Sequence, residues 1–226
     1  MYGSVAVLAA LRHAERTGQG QHVDMALLDT QVAWLVNEGM NYLVSGQVPR
    51  RLGNEHANIV PDKVFESADG YVILAVGNDA QFRRWCAFAG ADELAADPRF
   101  LTNPLRVTNR DALYALMPDY TRRKTTQAWV DGLAALGVPC GPVNNLDQVF
   151  ADPQVVARGM RIEMPHPEAA SGTVPLIASP IKMSATPPSY RHAPPTLGQH
   201  TDEVLEELLG LDAGERGRLR EQGIIG

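Results

Sequence analysis

Thr17-Gly18-Gln19-Gly20-Gln21-His22-Val23-Asp24-Met25-Ala26-Leu27-Leu28-Asp29 is the stretch that decides the class of fold. Upstream of it, Val5, Leu8, Ala9, Leu11 and Arg12 fall among small residues at spacings that put an apolar stripe on one helical face. Gly18 and Gly20 are expected to stop that helix, because the residue just past a helix end commonly needs φ > 0 and glycine takes it without a Cβ clash. His22-Val23-Asp24-Met25 alternates polar and apolar residues and predicts a short strand. Asp24 then stands where it can cap a second helix through Leu27, Leu28, Val32, Leu35 and Val36 to about Val44, ended by Ser45-Gly46. Helix, glycine turn, strand and helix in that order predict an α/β layer whose sheet is buried on both faces.

Composition agrees with an α/β protein. The 226 residues suffice for one large domain or two small ones, and 45% apolar content with Gly and Pro spread throughout is globular. A net charge of −6 argues against a nucleic-acid partner, which would select a basic face. Cys86 and Cys140 are too few and too isolated for a disulfide framework or a zinc site, so no metal is expected. The longest apolar run, Val5 to Leu11, is far short of the roughly 20 residues that span a bilayer. The first residues carry no basic region of a signal peptide, so a reduced, cytoplasmic setting without a membrane is expected. A helix opening at Met1 with its apolar face already in phase hints at a truncated domain.

From Gln47 the pattern changes. Residues 47–61 hold two prolines, a glycine, two asparagines and a histidine without a usable period, which predicts a long and therefore functional loop. A hairpin follows, with Val64 and Phe65 in one strand, Asp69-Gly70 as the turn and residues 71–76 as the second strand. Gly77-Asn78-Asp79 starts a helix that buries Phe82, Trp85, Cys86 and Phe88. Further helices are expected around Leu94, over 110–120 and over 126–136, with Asp97-Pro98 and Asn103-Pro104 as breaks and Thr125 or Thr126 as a cap. Residues 137–143 read as a strand edge, and Asn144-Asn145 caps a short helix to Phe150. Strands are expected at 161–164, 173–177 and 181–183, an extended proline-bearing connector at 185–195, and a helix at 201–209 with Thr201 as cap and Val204, Leu205, Leu208 and Leu209 facing inward.

The chemistry-bearing residues are thinly spread. Gly18-x-Gly20 follows a helix and precedes a strand, the reverse of the dinucleotide fingerprint, and reads as a helix stop. His22 and Asp24 lie on one strand face, yet such a pair is more often structural, and Asp24 and Asp29 read as caps or hydrogen-bond partners. His56 sits with Asn54, Glu55 and Asn58 in the irregular loop, where backbone amides are free to meet a ligand; a solvated loop histidine is the equal alternative. His166, His192 and His200 read as surface residues, and Cys140 as a buried inert thiol. No triad, metal cluster or phosphate loop is complete.

The quoted stretch, followed by Gly53-Asn54 and His56 ahead of Pro61 and Phe65 and by Asp69-Gly70 ahead of Gly77-Asn78, resembles the family III CoA-transferases of the CaiB/BaiF type. Gly137-Val138-Pro139-Cys140-Gly141-Pro142-Val143, Asp152-Pro153-Gln154 and Leu197-Gly198-Gln199-His200-Thr201 with Val204-Leu205 are similar to that family as well, in the family's order. The resemblance implies transfer of coenzyme A from an acyl-CoA to a carboxylic acid, through mixed anhydrides and an aspartyl-CoA thioester. It also implies a loop that shields the reactive thioester from water, no cofactor beyond the CoA substrate, and a homodimer of interlocked rings.

No aspartate of this chain matches the nucleophile's motif, which in the family lies in an N-terminal half preceding the helix at Met1. The resemblance therefore implies a C-terminal portion, inactive alone, with no catalytic residue of its own. Gly53, Asn54, Glu55, His56 and Asn58 are the residues it carries to the acyl or CoA moiety. Two alternatives stay open: an acyl-CoA racemase or epimerase of the same fold, which moves an α-proton, and a non-catalytic half that docks on a separate N-terminal polypeptide. The implied architecture is an incomplete Rossmann-like large domain plus a smaller α/β domain. Residues 1–48 are the large-domain remnant, 49–61 the active-site loop and linker, 62–178 the small domain and 179–226 the linker and return. Missing strands predict exposed apolar surface on Val5, Leu8 and Leu11.

Overall fold

In a computed structural model that describes all 226 residues, helix α1 (Tyr2–Thr17) ends where Gly18 takes φ 72° and donates its N–H to Ala14 O. Gly20 is not part of that cap. The alternating residues after it form no strand: 19–26 is irregular, and both sheets are built from other segments. Four alternating residues are shorter than most strands and find no neighbour for their backbone groups. Asp24 does not cap the next helix, whose N-cap is Ala26 without a side-chain bond. That helix is also two helices, α2 (Leu27–Ala33) and α3 (Val36–Ser45), separated where Trp34 and Leu35 donate to Gln31 O and Val32 O in tighter i→i+3 bonds. Gly46, at φ 70°, ends α3 as its sequence suggests. The stripe on α1 exists but faces outward, with Val5 65%, Leu8 67% and Leu11 54% exposed.

The packed core begins beyond the loop. Strands β1 (Asp62–Glu66) and β2 (Tyr71–Ala75) pair antiparallel with Phe65 opposite Val72, as the Asp69-Gly70 turn predicts. Helix α4 (Asp79–Ala89) starts at Asn78, whose side chain accepts from Gln81 N. After it come α5 (Asp92–Ala96), α6 (Asn103–Thr108), α7 (Arg110–Leu116), α8 (Pro118–Thr121) and α9 (Thr126–Ala135), then β3 (Cys140–Pro142), which adds to β2 for the order β1-β2-β3. Asn103-Pro104 opens α6 instead of breaking the chain, since proline in the first helical turn loses no hydrogen bond. The sheet is covered on one face only: Val72 and Leu74 are buried while Tyr71 and Ile73 face out. Against the buried face pack Phe82, Trp85, Leu113, Met117, Trp129 and Leu133.

The turn is tied to the start of α9. Asp69 Oδ1 accepts from Thr126 N at 2.7 Å and from the Ser67 hydroxyl at 3.2 Å, and the two hydroxyls of Ser67 and Thr126 lie 2.7 Å apart. The Thr126 amide, followed by the two hydroxyls, holds the Asp69 carboxyl below its ordinary value. A depressed carboxylate adds stability above the unfolded pKa and loses it as pH falls through the folded one. The melting temperature of Asp69→Asn is therefore expected below that of the parent at neutral pH, with the gap closing as pH drops below the carboxylate range. A gap constant with pH would show that the charge has no part in the tie.

A second compact unit, residues 144–226, follows the first at Val143. It contains α10 (Leu146–Ala151), capped by Asn145 and Gln148 in a reciprocal box, and α11 (Pro153–Ala157), capped by Asp152. Strands β4 (Arg161–Pro165) and β5 (Thr173–Ile177) make a two-stranded antiparallel sheet. The strand expected at 181–183 is absent, since Pro180 has no N–H for a ladder and the residues after Met183 turn away into bends. Helix α12 (Thr201–Leu209) forms with His200, not Thr201, at the N-cap, and Val204, Leu208 and Leu209 are exposed where an inward face was expected. Helix α13 (Ala213–Glu221) was not foreseen, although Asp212 and Glu215 form its capping box.

Candidate functional site

Residues 47–61 connect α3 to β1 and carry all five loop residues singled out above. Gly53 stands at φ 65°, a left-handed conformation that a side chain would strain. Asn54 accepts the Val64 N–H on its Oδ1 at 3.3 Å, which fastens the loop to β1. The half-buried Glu55 receives Lys63 Nζ at 2.8 Å on one oxygen and faces Arg110 at 3.7 Å with the other. His56 donates its backbone N–H to Asp62 O, and its ring Nδ1 accepts the Asn58 N–H at 3.1 Å. Asn58 reaches Asn41 on α3 with its side chain at 3.4 Å and accepts from Asn103 on its carbonyl at 2.8 Å.

The expectation of free loop amides is thus corrected for four residues: Glu55, His56, Asn58 and Val60 each donate within the protein, to Leu52 O, Asp62 O, His56 Nδ1 and Asn103 Oδ1. Loop polar groups need partners when partly buried, and this loop finds them in its neighbours.

Two arginines hold the loop from beneath. Arg106, fully buried, donates to Val60 O at 2.7 Å, Phe100 O at 3.0 Å and Asp79 at 2.8 Å, with its guanidinium 4.5 Å from the Phe82 ring centroid. Arg110 donates to His56 O at 3.4 Å and to Ala57 O. Both were missed in the sequence because charged residues read as surface. The available signal was their place at 106 and 110 in a helical series with Leu113 and Met117, all buried. A cavity of about 310 Å³ opens beside the loop between α3 and α7, lined by Glu38, Asn41, Arg50, Leu52, Ala57 and Arg110.

Carboxylates near the loop are engaged or shifted. Burial raises the Asp62 carboxyl above its ordinary value, against the opposing pull of His56. Asp79 accepts from Arg106 and from the Asn103 N–H at 2.8 Å. Asp24 and Asp29, distant in sequence, are exposed. Neither cysteine is a poised nucleophile: burial pushes the Cys86 thiol up to about 12 and raises that of Cys140. In the second unit the His192 and His200 rings meet edge to face at 5.5 Å, His200 pairs with Glu203 at 2.9 Å, and His166 contacts Pro194 O at 3.1 Å. No group of three or more His, Cys, Asp or Glu is arranged to hold a metal ion, and no helix is long and apolar enough to cross a membrane.

The family model for CoA-transferase family III matches residues 1–201. The chain belongs to that family. Among family III relatives it is 47% identical over 209 residues to a succinate–glutarate CoA-transferase of Agrobacterium fabrum, covering 92% of this chain and 52% of that protein. It is 37% identical over 228 residues to the human succinyl-CoA:glutarate CoA-transferase, covering 100% of this chain and 51% of that one. A crystal structure of a CaiB/BaiF family protein from Brucella suis superposes with a TM-score of 0.74 at 43% identity, over 92% of this chain and 53% of that one. The chain spans about half the length of the curated family III relatives it matches. The family III fold expected from the ordered motifs is thereby established.

Proposed function

We propose that this chain serves the transfer of coenzyme A from an acyl-CoA to a carboxylic acid, with short dicarboxylates as both acids. The observation that carries the proposal is the similarity, along almost all of the chain, to transferases named for succinate and glutarate. In the assigned reaction an aspartate oxygen attacks the donor thioester carbonyl, forming a mixed anhydride as the CoA thiolate leaves. The thiolate then attacks the aspartyl carbonyl and the first acid departs, leaving aspartyl-CoA. The acceptor carboxylate attacks that thioester in turn, and the returning thiolate takes the acceptor acyl group and frees the aspartate.

That aspartate is assigned to residues outside this sequence. Supporting the assignment, two aspartates near the loop or in its hairpin already serve others, Asp79 holding Arg106 and Asn103 and Asp69 holding Thr126, while burial holds the Asp62 carboxyl above its ordinary value. Gly53, Asn54, Glu55, His56 and Asn58 are assigned to the wall against the acyl or CoA moiety, where a fixed loop excludes water from the thioester. The division into large-domain segments 1–48 and 179–226 around a small domain 62–178 belongs to the same proposal. So does the interlocked homodimer, for which the exposed Val5, Leu8 and Leu11 supply apolar surface. A cytoplasmic setting accords with two free cysteines.

The test mixes succinyl-CoA and glutarate with the purified 226-residue chain and, in parallel, with the protein expressed from the reading frame that contains it. Glutaryl-CoA and succinate are expected from the second and not from the first. Glutaryl-CoA made by the chain alone overturns the placement of the aspartate. Deuterium wash-in at the α-carbon of a 2-methylacyl-CoA, without CoA transfer, overturns the transferase in favour of a racemase.

A further inference from the structure

The geometry points to Arg110 as a positioning residue that sets which nitrogen of His56 carries the ring proton, acting through a single peptide plane. Arg110 opens α7 with its side chain 8% exposed, and donates to the carbonyls of His56 and Ala57. The Ala57 carbonyl and the Asn58 N–H are two ends of one planar peptide unit, so fixing the oxygen fixes the direction of the hydrogen. That hydrogen points at His56 Nδ1, 3.1 Å from the Asn58 nitrogen. An imidazole nitrogen that accepts a hydrogen bond carries no proton, so the neutral ring holds its proton on Nε2. His56 then offers a donor N–H away from its own backbone, suited to a carbonyl or carboxylate oxygen.

Glu55 does not explain the arrangement. Its carboxylate lies 3.7 Å from Arg110 and takes its shorter bond, at 2.8 Å, from Lys63. Backbone carbonyls, not the carboxylate, give the guanidinium its direction: Nε meets Val107 O at 3.4 Å while the two terminal nitrogens meet His56 O and Ala57 O, and a planar fork suits two neighbouring carbonyls as a point-like ammonium does not. The identity of the oxygen that meets Nε2–H, on a thioester or a dicarboxylate, rests on the function proposed above. The proton's location does not.

The experiment uses the 226-residue chain with ¹⁵N-labelled histidine and backbone, at about pH 8.5, where ordinary imidazoles are neutral. The parent is expected to show a pyridine-type Nδ1 resonance for His56, assigned by its loss in His56→Gln, and a protected Asn58 amide. In Arg110→Met the Asn58 amide is expected to exchange about tenfold faster, the equivalent of one lost hydrogen bond. The Nδ1 resonance should move toward the pyrrole range. Glu55→Gln is expected to leave both signals within about twofold of the parent. Near-UV circular dichroism of the core tryptophans verifies that each variant is folded; if Arg110→Met is not, Arg110→Lys is read instead, with the same signals displaced part-way. Unchanged Asn58 exchange and ring shifts in a folded Arg110 variant overturn the inference, as does a Glu55→Gln spectrum that matches it. Failure of CoA transfer would leave these signals untouched, so the two proposals fail separately.

Discussion

Replacing Arg106 by leucine is expected to lower the unfolding free energy of the first unit by about 2–6 kcal/mol, because it removes a fully buried guanidinium that satisfies two backbone carbonyls. The side chain makes three separate connections: Nε to Val60 O at 2.7 Å, one terminal nitrogen to Phe100 O at 3.0 Å and the other to Asp79 at 2.8 Å. Leucine fills part of the volume against Phe82 and supplies none of the donors, so two carbonyls lose a partner at about 1–3 kcal/mol each where water cannot replace it. Asp79 suffers less. Its side chain is 39% exposed and keeps the Asn103 N–H, so solvent and that amide hold its charge. The reverse substitution, Asp79→Asn, keeps an acceptor for Arg106 but leaves its fully buried guanidinium without a counter-charge, and is expected to cost a comparable amount. Arg106→Lys should still be costly, since one ammonium cannot reach three acceptors arranged around a planar fork. Urea unfolding followed by tryptophan fluorescence gives the comparison, with an unchanged slope showing that only stability has moved. A loss below about 1 kcal/mol for Arg106→Leu would mean that the three bonds are made as well by water, and the loop would then not be anchored at Val60.

Much of the fold was legible in local pattern, and the site was legible only as a location. Gly18 and Gly46 end helices at positive φ, Asn78 and Thr125 cap α4 and α9, and Asp69-Gly70 closes the hairpin, each through contacts within four residues. The alternation at His22–Met25 misled because a strand is completed by its neighbour, which four residues of sequence do not describe. Arg106 and Arg110 were invisible for a related reason: their partners Val60, His56 and Ala57 lie 46 to 54 positions away. Charge alone marks such residues as surface, and only the helical spacing to Leu113 and Met117 contradicts it. The ordered motifs carried the family because they sample nearly the whole chain; the way the loop's amides are spent on its own framework is a tertiary fact.

Trp129→Ala is expected to be comparably damaging, at about 3–5 kcal/mol, for a different physical reason. Trp129 is fully buried in an aromatic column, stacked at 6.3 Å on Trp85, which stacks at 6.3 Å on Phe82, while Phe88 meets it edge-on at 5.4 Å. Truncation leaves a cavity beside the rings of Phe82, Trp85 and Phe88 on α4, and rigid rings collapse into it poorly. The indole N–H adds a polar component, since it donates to the Thr121 carbonyl at 2.7 Å. Trp85 offers the internal comparison: equally buried, it has an indole nitrogen with no hydrogen-bond partner. Trp129→Phe must therefore orphan a carbonyl that Trp85→Phe does not, and the order of cost should be Trp129→Ala, then Trp129→Phe, then Trp85→Phe. Equilibrium unfolding by far-UV circular dichroism, independent of the tryptophan signal, would rank them. Should Trp85→Phe prove the costlier phenylalanine variant, ring packing and not the Thr121 bond would govern this column. The effect should also reach the loop, because α9 and β3 flank β2, β2 sets the register of β1, and Val64 of β1 holds Asn54.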